Sequence, residues 1–438
     1  MRYQYLVILS LLLVFVGCTP NDIDGPNPND VFVKFYGLGS NEAVDIVRTS
    51  TGEIIILAQN TTGTHSDFYL IKTDEGGNEL SSRIIDLSNS SNDIPKRLKA
   101  IGNDEFLIVG YIQFEDEETG VDQYTGVWGK INSNLEVIST GSSGGNGFNF
   151  MDSLIAVDIV KTSDVNETFV VLGHSSVASR RYAGDQTPAG EFQIYMGKVD
   201  DQDSVYWQKS HGFTGNENAL SLFELDNKGF LVVGSTRASE EEYTGTNLYI
   251  FETNSFGTAD EGALVTGILG ADLAADDIPY AVKKSSLGYS IVGSTEDGST
   301  GALRGFHIAV SASGQLVANS SNVLASDYGL ACRALTFSRT LNNELMVLGS
   351  IPNFTLGQGD AGTSVTKLEE ILVMRVSPIA GHVEGFDQNY GTTVGNDRAI
   401  GAITLPDGDV LVAATIDFGS GTTMVGLLRL NANGELKD

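Results

Sequence analysis

The sequence predicts an all-β chain closed into a ring of seven four-stranded antiparallel blades. Three observations carry this. First, seven acidic residues, Glu42, Asp93, Asp152, Glu217, Asp277, Asp327 and Asp397, recur 50 to 70 residues apart by subtraction. Second, each is followed by a strand-like run, a tight polar turn and a short apolar run that ends in glycine or alanine, at Ala58, Gly110, Gly173, Gly234, Gly293, Gly349 and Ala414. A four-stranded unit of this length cannot bury both faces until neighbours stack on it, which is the logic of a β-propeller blade. Third, 41% apolar residues, 51 glycines and only 9 prolines suit a packed β domain of some 400 residues.

The first repeat shows the order of elements. Val31 to Tyr36 reads as a strand, Ala43 to Thr49 as the next, and Ser50 to Glu53 as a turn. Ile54 to Gln59 and Asp67 to Thr73 are strands separated by the loop Asn60 to Ser66, and Asp74 to Asn78 is a glycine turn. β-Branched and aromatic runs punctuated by Gly, Asn and Asp license each assignment. The last repeat ends at Leu427 to Leu430, a turn through Asn431 to Gly434, and four residues, so it lacks an outer strand of its own. Val31 to Tyr36 has no blade of its own. It is expected to become that outer strand and close the ring, removing an exposed sheet edge.

The N-terminus reads as an export signal. Arg2 is followed by the apolar run Leu6 to Val16, too short for the ~20 residues that span a bilayer. Val16-Gly17-Cys18 resembles the lipobox of bacterial lipoproteins. That resemblance implies cleavage before Cys18, lipidation of its sulfur and a membrane anchor with more than one acyl chain. Residues 1–17 are then the signal peptide, 18–30 the lipidated cysteine with a polar tether rich in proline, and 31–438 the propeller. The expected location is the cell envelope at the outer membrane, periplasmic or surface-exposed. The formal net charge of −30 excludes nucleic acid as a partner. Cys332 remains as a lone thiol in the run Ala331 to Phe337 and is expected to be a buried structural residue.

Three segments carry a family resemblance. Phe32-Val-Lys34-Phe-Tyr36-Gly37, Tyr206-Trp207-Gln208-Lys209-Ser210-His211-Gly212 and Phe386-Asp-Gln388-Asn-Tyr390-Gly391 share one pattern. The second continues with Asn216-Glu217-Asn218-Ala219 and Gly229 to Ser235. The pattern resembles the repeat of secreted bacterial seven-bladed β-propellers: aromatic-x-Lys-x-Tyr-Gly, then Asp-x-Ala, then Gly-Tyr-x-Val-x-Gly. The resemblance implies a fold and an exported location, not one activity.

Because consecutive strands reverse direction, the tight turns (Thr51-Gly52, Asn227 to Gly229, Asp407-Gly408, Asp74 to Gly77, Ala432 to Gly434) fall on one face. The acidic positions and the long variable loops fall on the other. Variable loops on a rigid scaffold are where binding residues concentrate. Candidate binding residues there are the basic aromatic patch Arg180, Arg181 and Tyr182, the apolar pair Phe148 and Phe150, and Tyr243. The seven acids are expected to ring the channel mouth, each capping its own turn through backbone N–H groups in preference to holding a cation or a polyhydroxylated ligand. No Ser-His-Asp, Cys-His or zinc spacing occurs among the five histidines and two cysteines, so no catalytic residue, metal or cofactor is expected. Ca2+ enters only as a weak alternative at Asp200 to Asp203, which lacks the glycine and distal glutamate of a calcium loop. The expectation is a non-enzymatic binding or scaffold lipoprotein with a protein or glycan partner. The alternative is a glycan-active hydrolase or lyase using loop carboxylates at the propeller mouth, for which a carboxylate pair about 5 to 10 Å apart is the signature.

Overall fold

The computed structural model describes residues 33–437 apart from short segments and single positions, the longest being 145–152, 177–191, 267–274, 325–331 and 357–364. Among the described residues every regular element is a strand, and the strands form seven blades. The chain is a seven-bladed β-propeller. The inner strands are Ser40–Arg48, Asn92–Gly102, Leu154–Lys161, Gly215–Glu224, Asp277–Ser285, Arg333–Arg339 and Arg398–Thr404, in blades 1 to 7. Blades 1 to 5 add their second, third and outer strands in chain order. In blade 6 two short strands, Gly381–His382 and Gln388–Tyr390, share the outer edge, and the hairpin Phe354–Leu356 with Val365–Lys367 interrupts the long connection ahead of the third strand.

Closure follows the expected route. Val33–Tyr36 pairs antiparallel with the third strand of blade 7, in the register Val33↔Leu428 to Tyr36↔Val425. The second strand of each blade is its most apolar because both of its faces are covered. Ile54 to Ala58 have no exposed surface, and such a continuous run is what two-sided burial selects. The cores lie between blades: Ile46, Ile56 and Ile71 of blade 1 pack with Leu411, Val425 and Leu427 of blade 7. Each such side chain contributes about 1.5 to 3 kcal/mol over its exposed state. The tight turns close as expected, with Thr49 donating to Glu53, Leu225 to Gly229 and Leu405 to Asp409 through backbone hydrogen bonds.

The repeated aromatic-glycine pair is a clasp between blades. The hydroxyl of Tyr36, in the outer strand of blade 7, donates to the Gly77 carbonyl in the outer turn of blade 1 at 2.7 Å. Tyr390, in the outer strand of blade 6, donates to Gly434 in the outer turn of blade 7, also at 2.7 Å. His211 occupies the same place in blade 3 and hydrogen-bonds the backbone of Gly257 in blade 4. The glycines have a steric reason. A Cβ on Gly37 would lie 2.6 Å from Asn41 Nδ2, on Gly212 2.2 Å from Glu217 Oε2, and on Gly391 2.8 Å from Asp397 Oδ2. Each glycine thus roofs the buried polar residue that begins the next blade.

Tyr36→Phe and Tyr390→Phe should each cost about 1 kcal/mol through the lost hydrogen bond, and Gly212→Ala about 2 kcal/mol through the clash with Glu217. Urea unfolding checks this; midpoints equal to wild type in all three variants would refute the clasp.

Candidate active site

Each inner strand carries a bulge at a corresponding position, and these bulges give a common register; the strand of blade 2 has a second at Ala100/Gly102. The corresponding bulges fall at Ala43/Asp45, Pro95/Arg97, Ala156/Asp158, Ala219/Ser221, Pro279/Ala281, Ala334/Thr336 and Ala399/Gly401. Two residues before the bulge stand Asn41, Asp93, Leu154, Glu217, Asp277, Cys332 and Asp397, all at most 1% exposed. One residue before it stand Glu42, Ile94, Ile155, Asn218, Ile278, Arg333 and Arg398, all half or fully exposed. The second set forms the channel mouth on the loop face. The first set is sealed between blades.

This register revises the expected acidic ring. Asp93, Glu217, Asp277 and Asp397 share one structural position, but it is buried and does not line the mouth. Asp93 accepts the Leu87 N–H at 2.5 Å. Asp397 accepts the N–H groups of Thr392 and of Asp417, the latter at 2.9 Å. Glu217 bonds side chains instead, Gln193 at 2.6 Å and Thr236 at 2.8 Å. Glu42 sits one residue further along and is exposed; its blade fills the buried position with Asn41, held by Asn60 at 2.7 Å. Blade 3 uses Leu154 there and blade 6 uses Cys332, whose thiol lies in the apolar core beside Leu324. Asp152 and Asp327 lie outside the described residues, as do Cys18, Phe148, Phe150, Arg180, Arg181, Tyr182 and Tyr243. Asp200 caps its own turn, accepting the N–H groups of Gln202 and Ser204.

The mouth holds two charged groupings. On one side Arg398 Nε lies 2.6 Å from Glu369 Oε2 and Arg333 lies 3.8 Å from Oε1. Glu369 is buried while both guanidinium groups are accessible. On the other side stand Glu42 and Lys96, the latter one residue past Pro95 and half-buried. The Lys96 amine lies 5.4 Å from the centre of the Tyr111 ring, which meets Tyr124 edge-on at 5.5 Å. Burial pulls the Lys96 pKa below the ordinary lysine value, and the Glu42 carboxylate partly offsets this. Burial pushes Tyr111 up, so its hydroxyl keeps its proton. His174, beside Lys96, is held neutral by burial with a pKa of about 4.

Below the mouth, side chains cross the channel. Arg97 reaches the Leu220 carbonyl of blade 4 at 3.3 Å. Lys99 lies 2.7 Å from Asp158 of blade 3 and donates to the Leu222 carbonyl of blade 4 at 3.2 Å. Asp158 also accepts the Leu222 N–H at 2.7 Å, and Asp45 accepts the Leu98 N–H at 3.0 Å. Lys283 of blade 5 donates to Phe337 of blade 6 and Ala402 of blade 7, at 2.5 and 2.7 Å. Burial holds Lys283 down at about 8. The site is therefore a cup floored by inter-blade charges. The sequence reading missed Lys96, and it missed Arg97, Lys99, Asp158 and Lys283, whose partners belong to other blades.

No family model matches the sequence, and no curated protein matches it either. Solved structures do match in fold. The polysaccharide lyase Uly1 has a TM-score of 0.51 at 10% identity over 94% of this chain and 94% of that one. The α-L-arabinofuranosidase of Fusarium graminearum has a TM-score of 0.42 at 10% identity, over 92% of this chain and 97% of that one. A Bombyx mori GH32 β-fructofuranosidase has a TM-score of 0.35 at 11% identity, over 92% of each chain. Identities this low establish the fold. The expectation of a non-enzymatic binding scaffold is corrected on this finding: Uly1, whose TM-score exceeds 0.5, is by name a polysaccharide lyase, and the glycan-active alternative stands as a proposal.

The floor charges give two predictions. Asp158→Asn leaves Lys99 without its carboxylate and should cost about 3 kcal/mol. The folded-state value of Lys283 lies below the ordinary lysine value of about 10.4, so the unfolded chain binds more protons between the two. Its contribution to stability therefore rises as pH climbs from about 8 toward 10.4. Lys283→Met should remove that rise; denaturation curves across this window in which wild type and variant keep the same slope would refute it.

Proposed function

We propose that the protein is a glycan-active enzyme that cleaves an acidic polysaccharide by β-elimination at the loop-face mouth. The observation that carries this is the grouping of Lys96, with its lowered pKa, against a protonated Tyr111 and the Glu42 carboxylate in the opening that also holds Arg333 and Arg398. Arg333 and Arg398 outnumber the one carboxylate they share, Glu369, in a chain whose net charge is −30. A uronate fits such a local excess. The likeness to a polysaccharide lyase fold agrees with the reading.

The step balances as follows. The carboxylate of the sugar, neutralised by the arginine pair, acidifies the adjacent C5–H bond. The Lys96 lone pair takes that proton, the C5–H electron pair becomes the C4=C5 double bond, and the C4–O bond breaks. The departing oxygen takes the Tyr111 proton. A lysine whose pKa burial lowers and a tyrosine that burial keeps protonated suit base and acid roles. Two-carboxylate hydrolysis is less well served: among the described mouth residues Glu42 is free to act, while Glu369 is tied up by two arginines. We also infer export and lipid anchoring at Cys18 from the N-terminal sequence, which would place the enzyme where polysaccharides are met.

Purified protein should release products that carry the ultraviolet absorbance of an unsaturated uronate from a uronate-containing polysaccharide and not from a neutral one. Lys96→Met and Tyr111→Phe should each lower kcat roughly 10²- to 10⁴-fold with thermal midpoints near wild type. New reducing ends without that absorbance would replace elimination by hydrolysis, and no cleavage across a panel of acidic and neutral polysaccharides would sink the enzymatic reading.

A further inference from the structure

We propose that Asp67, Asp86 and Asp93 form a Ca2+ site at the seam between blades 1 and 2. The site is separate from the mouth and does not rest on the glycan reading. Asp67 lies in the third strand of blade 1, His65–Thr73, opposite Asn60. Asp86 follows the outer strand Glu79–Ile85, and Asp93 lies in the inner strand of blade 2. One carboxylate oxygen from each lies within 4.8 Å of the others, close enough for one cation with bonds of about 2.4 Å to touch all three.

Acidic groups gather on many surfaces without an ion, and one feature sets this cluster apart. Asp93 has no exposed surface, and while its Oδ2 accepts the Leu87 N–H at 2.5 Å, its Oδ1 is buried without a hydrogen-bond partner. A buried, unsatisfied carboxylate oxygen costs about 1 to 3 kcal/mol or more, and a cation held between the three aspartates would satisfy it. Burial and the Asp86 charge push Asp93 and Asp67 above the ordinary carboxylate range, the response of negative groups crowded together. The donors are all oxygen, including the Ser88 hydroxyl beside Asp93. Such a set selects a hard cation. Ca2+ tolerates an irregular set of protein oxygens, whereas Mg2+ demands a near-ideal octahedron with bonds of about 2.0 to 2.1 Å and keeps several waters. The bound ion would tie the third strand of blade 1, the crossover and the first strand of blade 2 into one unit.

The test is calorimetric titration of chelator-stripped protein with CaCl2, in parallel with MgCl2 and with NaCl at matched ionic strength, alongside thermal unfolding. The expected result is one saturable Ca2+ site per chain with a rising unfolding midpoint. Asp86→Asn and Asp67→Asn should each weaken Ca2+ binding about tenfold or more, since affinity follows the number of charged ligands. Asp86 is exposed, so its variant reports on binding without disturbing the fold. Asp200→Asn, at a turn elsewhere, should bind as wild type does. No stoichiometric binding, or Asp86→Asn and Asp67→Asn proteins that bind Ca2+ as wild type does, would overturn the proposal.

Discussion

Burial of both faces of every blade is the constraint from which the rest of this structure follows. A second strand such as Ile54–Thr62 is apolar on both sides, so an isolated blade would leave two hydrophobic sheets in water. Only a closed ring covers all of them, and closure falls to four residues, Val33–Tyr36, paired with the third strand of blade 7. Tyr36 sits at the end of that short strand, 5% exposed, and its hydroxyl crosses to blade 1. The residue that finishes one blade thereby fastens the next.

The inner strands convert that packing constraint into a site. Around each bulge the chain alternates sealed and accessible residues with a period of two. In blade 4, Glu217 and Ala219 are buried while Asn218 is exposed. The sealed position can hold a carboxylate only where N–H or side-chain donors reach it, as at Asp397 and Glu217. Leucine and cysteine take its place in blades 3 and 6, at Leu154 and Cys332. The accessible position is free of that demand, and there the blades diverge into isoleucine, asparagine, glutamate and arginine.

This division explains what could be read from the sequence. Blade number and strand order were legible because two-sided burial writes a run such as Phe230 to Gly234 into every repeat. The closing strand was legible because Val33–Tyr36 precedes the first acidic position without a blade of its own. The site was not. Glu42 and Asp93 look equivalent by their distance from the apolar runs, yet a one-residue offset places one carboxylate in the opening and the other between blades. Lys99 with Asp158, and Lys283 with Ala402, are joined across blades at separations of 59 and 119 residues, which no local pattern records.

The floor of the cup bears on the chemistry above it. Lys99 and Asp158 neutralise one another, and Arg97 and Lys283 spend donors on main-chain carbonyls. The floor is therefore crossed by side chains whose charges are largely committed to one another and to main-chain carbonyls. In the proposed reaction the floor is a wall, and the reacting groups are those above it: Lys96, with Tyr111 on one side and the Glu42 carboxylate on the other. Because these groups sit on or beside inner strands fixed from both sides by neighbouring blades, they are held by the same packing that closes the ring, the rigid support on which precise acid and base placement depends.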